Sequence, residues 1–118
     1  MSELDSKKLF KHSDKLNKIL LMYAEDINPL IIRFETEKGE FPVEVQNEIR
    51  AMYNHLARAA LADNEEKVAE NLDKMQSHSK RALMDCFKYI CMLCDDNYRD
   101  FMKRYESIDL TYINQGLF

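Results

Sequence analysis

Apolar residues recur on a seven-residue repeat through the N-terminal part of the chain. From Leu16 onward the intervals alternate between four and three residues, and the members are Leu16, Leu20, Tyr23, Ile27, Leu30 and Phe34. This spacing places them on one stripe of a helix, which we predict over about residues 5–37. Pro29 lies within this helix. Because proline removes one backbone hydrogen bond, we expect a kink near residues 26–28 rather than a loop.

Two further helices follow, separated by short turns. Gly39 and Pro42 give the clearest turn chemistry, because glycine often ends a helix and proline suits the first helical position. The second helix is predicted over residues 43–62, with an apolar stripe of Val45, Ile49, Met52, Leu56 and Ala59. Asp63-Asn64 then offers a capping side chain for a third helix over residues 65–105, which contains neither glycine nor proline.

The distal half of the third helix is apolar on nearly every side. Between Ala82 and Cys94 the apolar residues point in almost all directions, and helices of this kind are normally surrounded by protein. The second helix is too short to cover this stretch. We expect the cover to come from the first helix, from a short apolar C-terminal element between Ile108 and Phe118, or from a second copy. The predicted interface residues are Phe87, Ile90, Met92, Leu93 and Phe101.

The composition fits a small all-α domain. The 118 residues include only 2 glycines and 2 prolines, too few for many turns, and 46% of them are hydrophobic, which argues against disorder. We therefore predict one domain over residues 1–118, an all-α bundle of three long antiparallel helices plus a short C-terminal element. The apolar Gly-Leu-Phe end leaves two alternatives, a complete protein or the N-terminal part of a longer one.

Charge and cysteine usage narrow the function classes. A net charge of −4 argues against nucleic-acid binding, and the lysines of the first helix fit a solvated face. No apolar run is long enough for a membrane span or a signal peptide, so we expect a cytoplasmic protein. Cys91 and Cys94 have CxxC spacing near Cys86, but structural zinc needs four ligands. We therefore predict three core thiols, with no metal and no cofactor.

The pattern Met-x-x-His-x-x-Arg-Ala occurs twice, around His55 and again 23 residues later around His78. In an antiparallel hairpin of the second and third helices, positions whose numbers sum to about 127 should face each other. That register sets His78 near Arg50 and His55 near Leu72. We therefore expect the two histidines to lie at different heights and not to meet. Coincidence, an old helix duplication and a functional role all remain open.

The segment from Arg50 to His55 has the spacing Arg-x4-His. It is similar to the motif of HEPN domains, small all-helical bundles, many of which are metal-independent ribonucleases that act as dimers. The resemblance implies that Arg50 would stabilise a transition-state phosphate and that His55 would act as acid or base. It covers six residues plus the general architecture, and Ala51 stands where active members usually carry a polar residue. Such a spacing also arises often by chance.

These observations favour a non-enzymatic module for protein–protein interaction or oligomerisation. The chain would form a homodimer or bind a protein partner through the third helix. The alternative is a HEPN-like ribonuclease that uses Arg50 and His55. Contact with nucleic acid is expected only under that alternative.

Overall fold

The chain folds as an all-α bundle, which confirms the predicted fold class. The computed structural model describes the backbone of residues 4–114 and the side chains of residues 4–106. The first predicted helix is a rod of four consecutive segments: a 3-10 helix (Ser6–His12), α1 (Ser13–Met22), a π turn (Tyr23–Ile27) and α2 (Asn28–Lys38). The two remaining helices are α3 (Val43–Leu61) and α4 (Glu65–Asn114). Residues 4–114 contain no strand.

The π turn is the distortion expected beside Pro29. Proline has no N–H group, so residue 29 cannot donate to the carbonyl one α-turn earlier. The chain instead widens by one residue, and the Asn28 N–H bonds to the Tyr23 carbonyl. The rod continues past this point without a loop, as the unbroken apolar stripe predicted. Ile27, Ile31 and Phe34 are therefore all buried.

The rod lies parallel to α4, and α3 lies antiparallel to both. Lys15 pairs with Asp73 near one end of the rod, and Lys38 pairs with Asp96 near the other. Both pairs join residues 58 positions apart, and a constant offset of this kind identifies parallel helices. The result is an up-down-up arrangement of three helices, in which α4 touches both of the other two.

Gly39 ends α2 in the left-handed conformation, as its position predicted. Its φ is 70°, and its N–H donates to the Glu35 carbonyl at 2.8 Å. Pro42 then caps α3 from the position before its first residue, one place earlier than predicted. This short turn makes the rod and α3 antiparallel neighbours.

Replacing Gly39 with alanine should lower the free energy of unfolding by about 1 kcal/mol, because a Cβ disfavours the left-handed conformation. An added Cβ would meet no atom within 4 Å, so the loss comes from backbone strain alone. Urea unfolding monitored by circular dichroism measures it. Glu40→Ala, at the neighbouring exposed position, should change the same quantity by less than about 0.5 kcal/mol. Equal effects of the two substitutions would contradict this assignment of the helix end.

The corner between α3 and α4 is narrow because it is built from alanines. Ala59, Ala60 and Ala62 are all buried there. The Lys8 ammonium donates to the Ala62 carbonyl at 2.9 Å and so ties the start of the rod to this corner. Asn64 caps α4 by accepting the Lys67 N–H at 2.9 Å, as predicted for this segment.

The core consists of two clusters along the bundle. The cluster near the alanine corner contains Ile19, Met52, Ala59, Ala62, Val68, Leu72 and Met75. The cluster near Gly39 contains Ile27, Ile31, Val45, Ala82 and Cys86. Each draws residues from the rod, α3 and α4, so all three helices are needed to exclude water from either cluster.

The far end of α4 extends beyond the bundle. The molecule is 80 Å long but only 23 by 18 Å across. The farthest side-chain bonds from the rod to α4 reach Asp96 and Asn97. The helix nevertheless continues to Asn114, about 25 Å farther at 1.5 Å per residue. We define the overhang as the part of α4 from residue 98 onward. From residue 98 to residue 106 every side chain is exposed except that of Met102, which is half-buried.

The predicted end of the third helix at residue 105 is wrong. The backbone of residues 106–114 continues α4, so these residues do not form a separate C-terminal element. The physical reason is that the chain contains no glycine or proline between Pro42 and Gly116 to interrupt the helix. The side chains of residues 107–114 and all of residues 115–118 lie outside the described part, including the apolar side chains that we expected to cover α4.

Candidate interaction site

A second seven-residue repeat runs along α4, and its members lie on one exposed stripe. From Met84 the intervals alternate strictly between three and four residues, which is the a and d pattern of a coiled coil. We call this set the α4 seam: Met84, Phe87, Cys91, Cys94, Tyr98, Phe101 and Tyr105. In the sequence the spacing continues to Ile108 and Tyr112, whose side chains lie outside the described part.

Every member of the α4 seam is exposed. Its methionine and four aromatic residues are between 54% and 69% exposed, and both cysteines are exposed as well. Phe101 and Tyr105 stack on one another with ring centroids 6.4 Å apart. All charged residues of the same stretch lie off the seam. The chain therefore presents to solvent a stripe of residues with coiled-coil spacing.

The seam lies to the side of the face of α4 that packs into the chain's own core. Cys86 and Leu93 are each only 2% exposed and mark the face of α4 that packs inside the bundle. Phe87 and Cys94 each follow one of these residues, which turns them by about 100° around the helix. A helix lying on the seam would therefore sit beside the bundle, next to α4, without displacing the rod or α3.

The predicted interface residues divide into three groups. Phe87 and Phe101 belong to the α4 seam, and Met92 is 53% exposed on another face of α4. Ile90 is half-buried. Leu93 is only 2% exposed, so the single chain does not present its side chain to a partner. A stretch that is apolar all round does not itself reveal which face the chain covers.

The cysteines differ in environment, and the prediction of three core thiols is wrong for two of them. Cys86 is buried, whereas Cys91 and Cys94 are exposed on the seam. Burial, reinforced by the nearby Asp85 carboxylate, raises the pKa of the Cys86 thiol to about 11. Its Sγ lies 3.9 Å from the Ile27 carbonyl oxygen, to which it donates.

At protein concentrations low enough to keep the chain monomeric, iodoacetamide should label Cys91 and Cys94 of the folded protein at least about 100-fold faster than Cys86, because only the thiolate reacts. The raised pKa of Cys86 alone lowers its thiolate fraction at pH 8 by about 100-fold, and burial slows the reaction further. Peptide mass spectrometry after timed labelling measures the three rates. In urea all three thiols should react at similar rates. Labelling of Cys86 alongside the other two in the native protein would contradict its placement in the core.

His55 and His78 stack, contrary to the expectation that the two pattern copies would not meet. Their ring centroids are 5.3 Å apart and their planes differ by 16°. The Nδ1–H of His55 donates to Asn71 Oδ1 at 3.1 Å, and the Nδ1–H of His78 donates to Glu48 Oε2 at 2.6 Å. Because each ring is held by a bond to the opposite helix, the pair forms a polar link between α3 and α4.

Acidic side chains continue this polar region along the same helix pair. The pKa of Asp85 is raised by partial burial and by the negative charges of Glu44 and Glu48, while Lys88 opposes the rise. Lys88 lies 3.6 Å from Glu44. Hydrogen bonds of His55 and His78 and the Lys88–Glu44 ion pair therefore join α3 to α4, which suits a structural contact, while the Asp85 carboxylate lies among like charges.

Arg50 and His55 lie on different sides of α3. Both lie in the regular helix α3, where five residues correspond to a rotation of about 140° around the axis. Arg50 is exposed, whereas His55 is half-buried against Asn71 and His78. A ribonuclease of the HEPN type needs both groups near one phosphate, and this separation does not favour it.

We accordingly expect no RNA cleavage that depends on His55. Wild-type protein and the His55→Ala variant, purified in parallel, should leave a labelled single-stranded RNA equally intact at equal concentrations. Cleavage by the wild type that is lost in the variant would restore the ribonuclease alternative.

A second apolar feature lies between α1 and α3. A groove of about 300 Å³ opens beside the π turn, and it is lined by Ile19, Leu20, Tyr23, Ile49, Met52, Tyr53, Leu56 and Met75. Tyr53 is 74% exposed at its rim. The lining of the groove is mostly apolar and includes no charged residue.

Comparison with known proteins assigns neither a family nor a function to the chain. Neither a family model, nor a curated protein, nor a solved structure matches the chain. Among the described residues, no group of three or more His, Cys, Asp or Glu side chains is arranged to hold a metal ion. No helix in the described part is long and apolar enough to cross a membrane.

Proposed function

We propose that this protein is a helical protein-interaction module whose binding surface is the α4 seam. The observation that carries the proposal is the continuous a and d pattern, exposed along the seam from Met84 to Tyr105. In a coiled coil each such residue inserts between side chains of a facing helix. The matching surface is therefore the apolar stripe of another amphipathic helix.

The energetics favour an occupied seam. Each large apolar side chain left in water forfeits about 1.5–3 kcal/mol relative to full burial. Five large side chains of the seam are more than half exposed, and four of them are aromatic, the type that contributes most to interfaces. Exposed apolar patches of this extent usually mark interaction surfaces.

Two exposed thiols also favour a reducing compartment. Cys91 and Cys94 are adjacent on one helix face and carry no disulfide. Exposed thiols persist as such in the cytoplasm, where thiol reductants keep them reduced. We therefore propose a cytoplasmic location for the interaction.

A photo-reactive phenylalanine analogue at position 101 tests the proposed surface. Irradiation of the producing cells should give a covalent protein adduct from position 101. The matched control is the same analogue at Lys103, which is also exposed but lies off the seam. Adducts that form at position 101 and not at 103 would support the module. The absence of adducts at 101, or equal yields at the two positions, would overturn it.

A further inference from the structure

We propose that the α4 seam binds the α4 seam of a second copy of this chain in antiparallel orientation, with the two-fold axis between residues 92 and 93. This inference rests on the proposed function and names its partner. In an antiparallel coiled coil, the a positions of one helix pack against the d positions of the other. The proposed axis sets Cys91 opposite Cys94 of the second copy.

The same register pairs the remaining large side chains of the seam. Phe87 lies opposite Tyr98 of the second copy, and Met84 lies opposite Phe101. Each of these contacts occurs twice because the interface is two-fold symmetric. Aromatic pairs of this kind contribute stability beyond the area that they bury. No seam residue between Met84 and Phe101 is left facing a charged residue.

Charge complementarity selects this register. Lys88 and Asp95 flank the seam on one side, with side chains 62% and 54% exposed. In the proposed dimer Lys88 lies opposite Asp95 of the second copy, twice by symmetry. Moving the antiparallel register by one heptad sets two Asp95 residues, or two Lys88 residues, against each other. In a parallel dimer these two charges would face Leu83 and Ile90 instead. Flanking charges of this type set the orientation of coiled coils.

The buried area matches what a specific dimer requires. A fully buried aromatic side chain removes about 150–250 Å² from solvent, and more than half of each seam aromatic is accessible. Two copies that pair along the seam would bury on the order of 1,000 Å², the lower limit for a specific interface. The overhang of each copy would then lie along α4 of its partner, and this contact extends the interface.

Two variants, each keeping only one of the two seam cysteines, test the orientation directly. We call them the single-cysteine variants. Cys91→Ser leaves Cys94 on the seam, and Cys94→Ser leaves Cys91, while Cys86 stays buried in both variants. Each purified variant is oxidised with diamide, alone and as an equimolar mixture, and covalent dimers are quantified on non-reducing gels. We expect little covalent dimer from either variant alone, because like cysteines lie too far apart for a disulfide. We expect about half of the chains to cross-link in the mixture, since random pairing of two species gives that share of mixed dimers.

A charge exchange provides an independent measurement. Asp95→Lys should weaken self-association about 10-fold by setting Lys88 against a lysine of the second copy, twice. The double variant that also carries Lys88→Asp should self-associate with an affinity within about threefold of the wild type. The two charges are then exchanged, so opposite charges face each other again.

The outcomes separate this inference from the proposed function. Efficient cross-linking of each single-cysteine variant with itself would indicate a parallel dimer and would overturn the proposed orientation. A strictly monomeric protein with no cross-linking would overturn the second copy as partner. In that case, adducts from position 101 to a different protein would still support the interaction module.

Discussion

Leu72→Ala should lower the free energy of unfolding by about 2–5 kcal/mol, the range found for leucines truncated in well-packed cores. Leu72 is fully buried in the cluster near the alanine corner, where residues from the rod, α3 and α4 meet. Removing three carbons leaves a cavity that three packed helices cannot easily close. A small domain has only about 5–15 kcal/mol of stability, so this loss is a large fraction of the total.

Urea unfolding at a fixed protein concentration measures the effect, because self-association would otherwise change the apparent stability. Leu21→Ala is the matched control, since it makes the same chemical change at a position that is 55% exposed. We expect it to change the unfolding free energy by less than about 1 kcal/mol. Similar losses in the two variants would show that Leu72 is not in a packed core.

Phe101→Glu should weaken self-association by at least about 1,000-fold while leaving the fold intact. The substitution removes two aromatic side chains from a symmetric interface and places two carboxylates in their stead, each costly to bury without a partner. In the single chain Phe101 is 61% exposed, so folding does not depend on it. Glutamate is also a good helix former, so α4 should persist.

Sedimentation equilibrium gives the dissociation constant, and circular dichroism gives the helical content. Lys103→Gln is the control, because it changes the net charge by the same amount on the same helix but off the seam. Its dissociation constant should stay within about threefold of the wild type. A Phe101→Glu variant that associates as well as the wild type would remove the seam from the interface.

Local sequence signals predicted most of the fold. The stripe from Leu16 to Phe34 predicted a single rod, and Pro29 predicted its distortion. Gly39 and Asn64 marked the helix ends because their chemistry acts over one turn. The end of α4 was missed because the apolar side chains after residue 105 suggested a separate element, whereas only Gly116 could have interrupted the helix.

The sequence analysis predicted only part of the α4 seam. Phe87 and Phe101, two of the predicted interface residues, lie on the seam. Leu93, a third, is buried while its neighbour Cys94 is exposed, because burial depends on where the rod and α3 lie. The seven-residue spacing from Met84 to Tyr105 is visible in the sequence and would have identified the exposed stripe. Thiol and phenol side chains weaken that signal, since neither is a typical core residue of a coiled coil.

The histidine pair was missed for a geometric reason. An antiparallel register assigns one facing height to each residue, but side chains lean toward the N-terminus of their own helix. On antiparallel helices the rings of His55 and His78 therefore lean toward each other, and both side chains contribute to the reach. His55 bonds to Asn71 at its own height and stacks on His78 nearly two turns further along α4. The spacing of residues in the sequence predicted that His55 lies near the height of Asn71, but it did not predict the stacking of His55 on His78.

Pairing of the α4 seam with a second copy of the chain requires the protein to be a dimer in solution. Light scattering coupled to size-exclusion chromatography, at loadings from a few to a hundred micromolar, tests it most directly. One chain has a mass of 14.0 kDa, and we predict about twice this value at tens of micromolar. A mass that stays at 14.0 kDa over the whole range would contradict self-pairing.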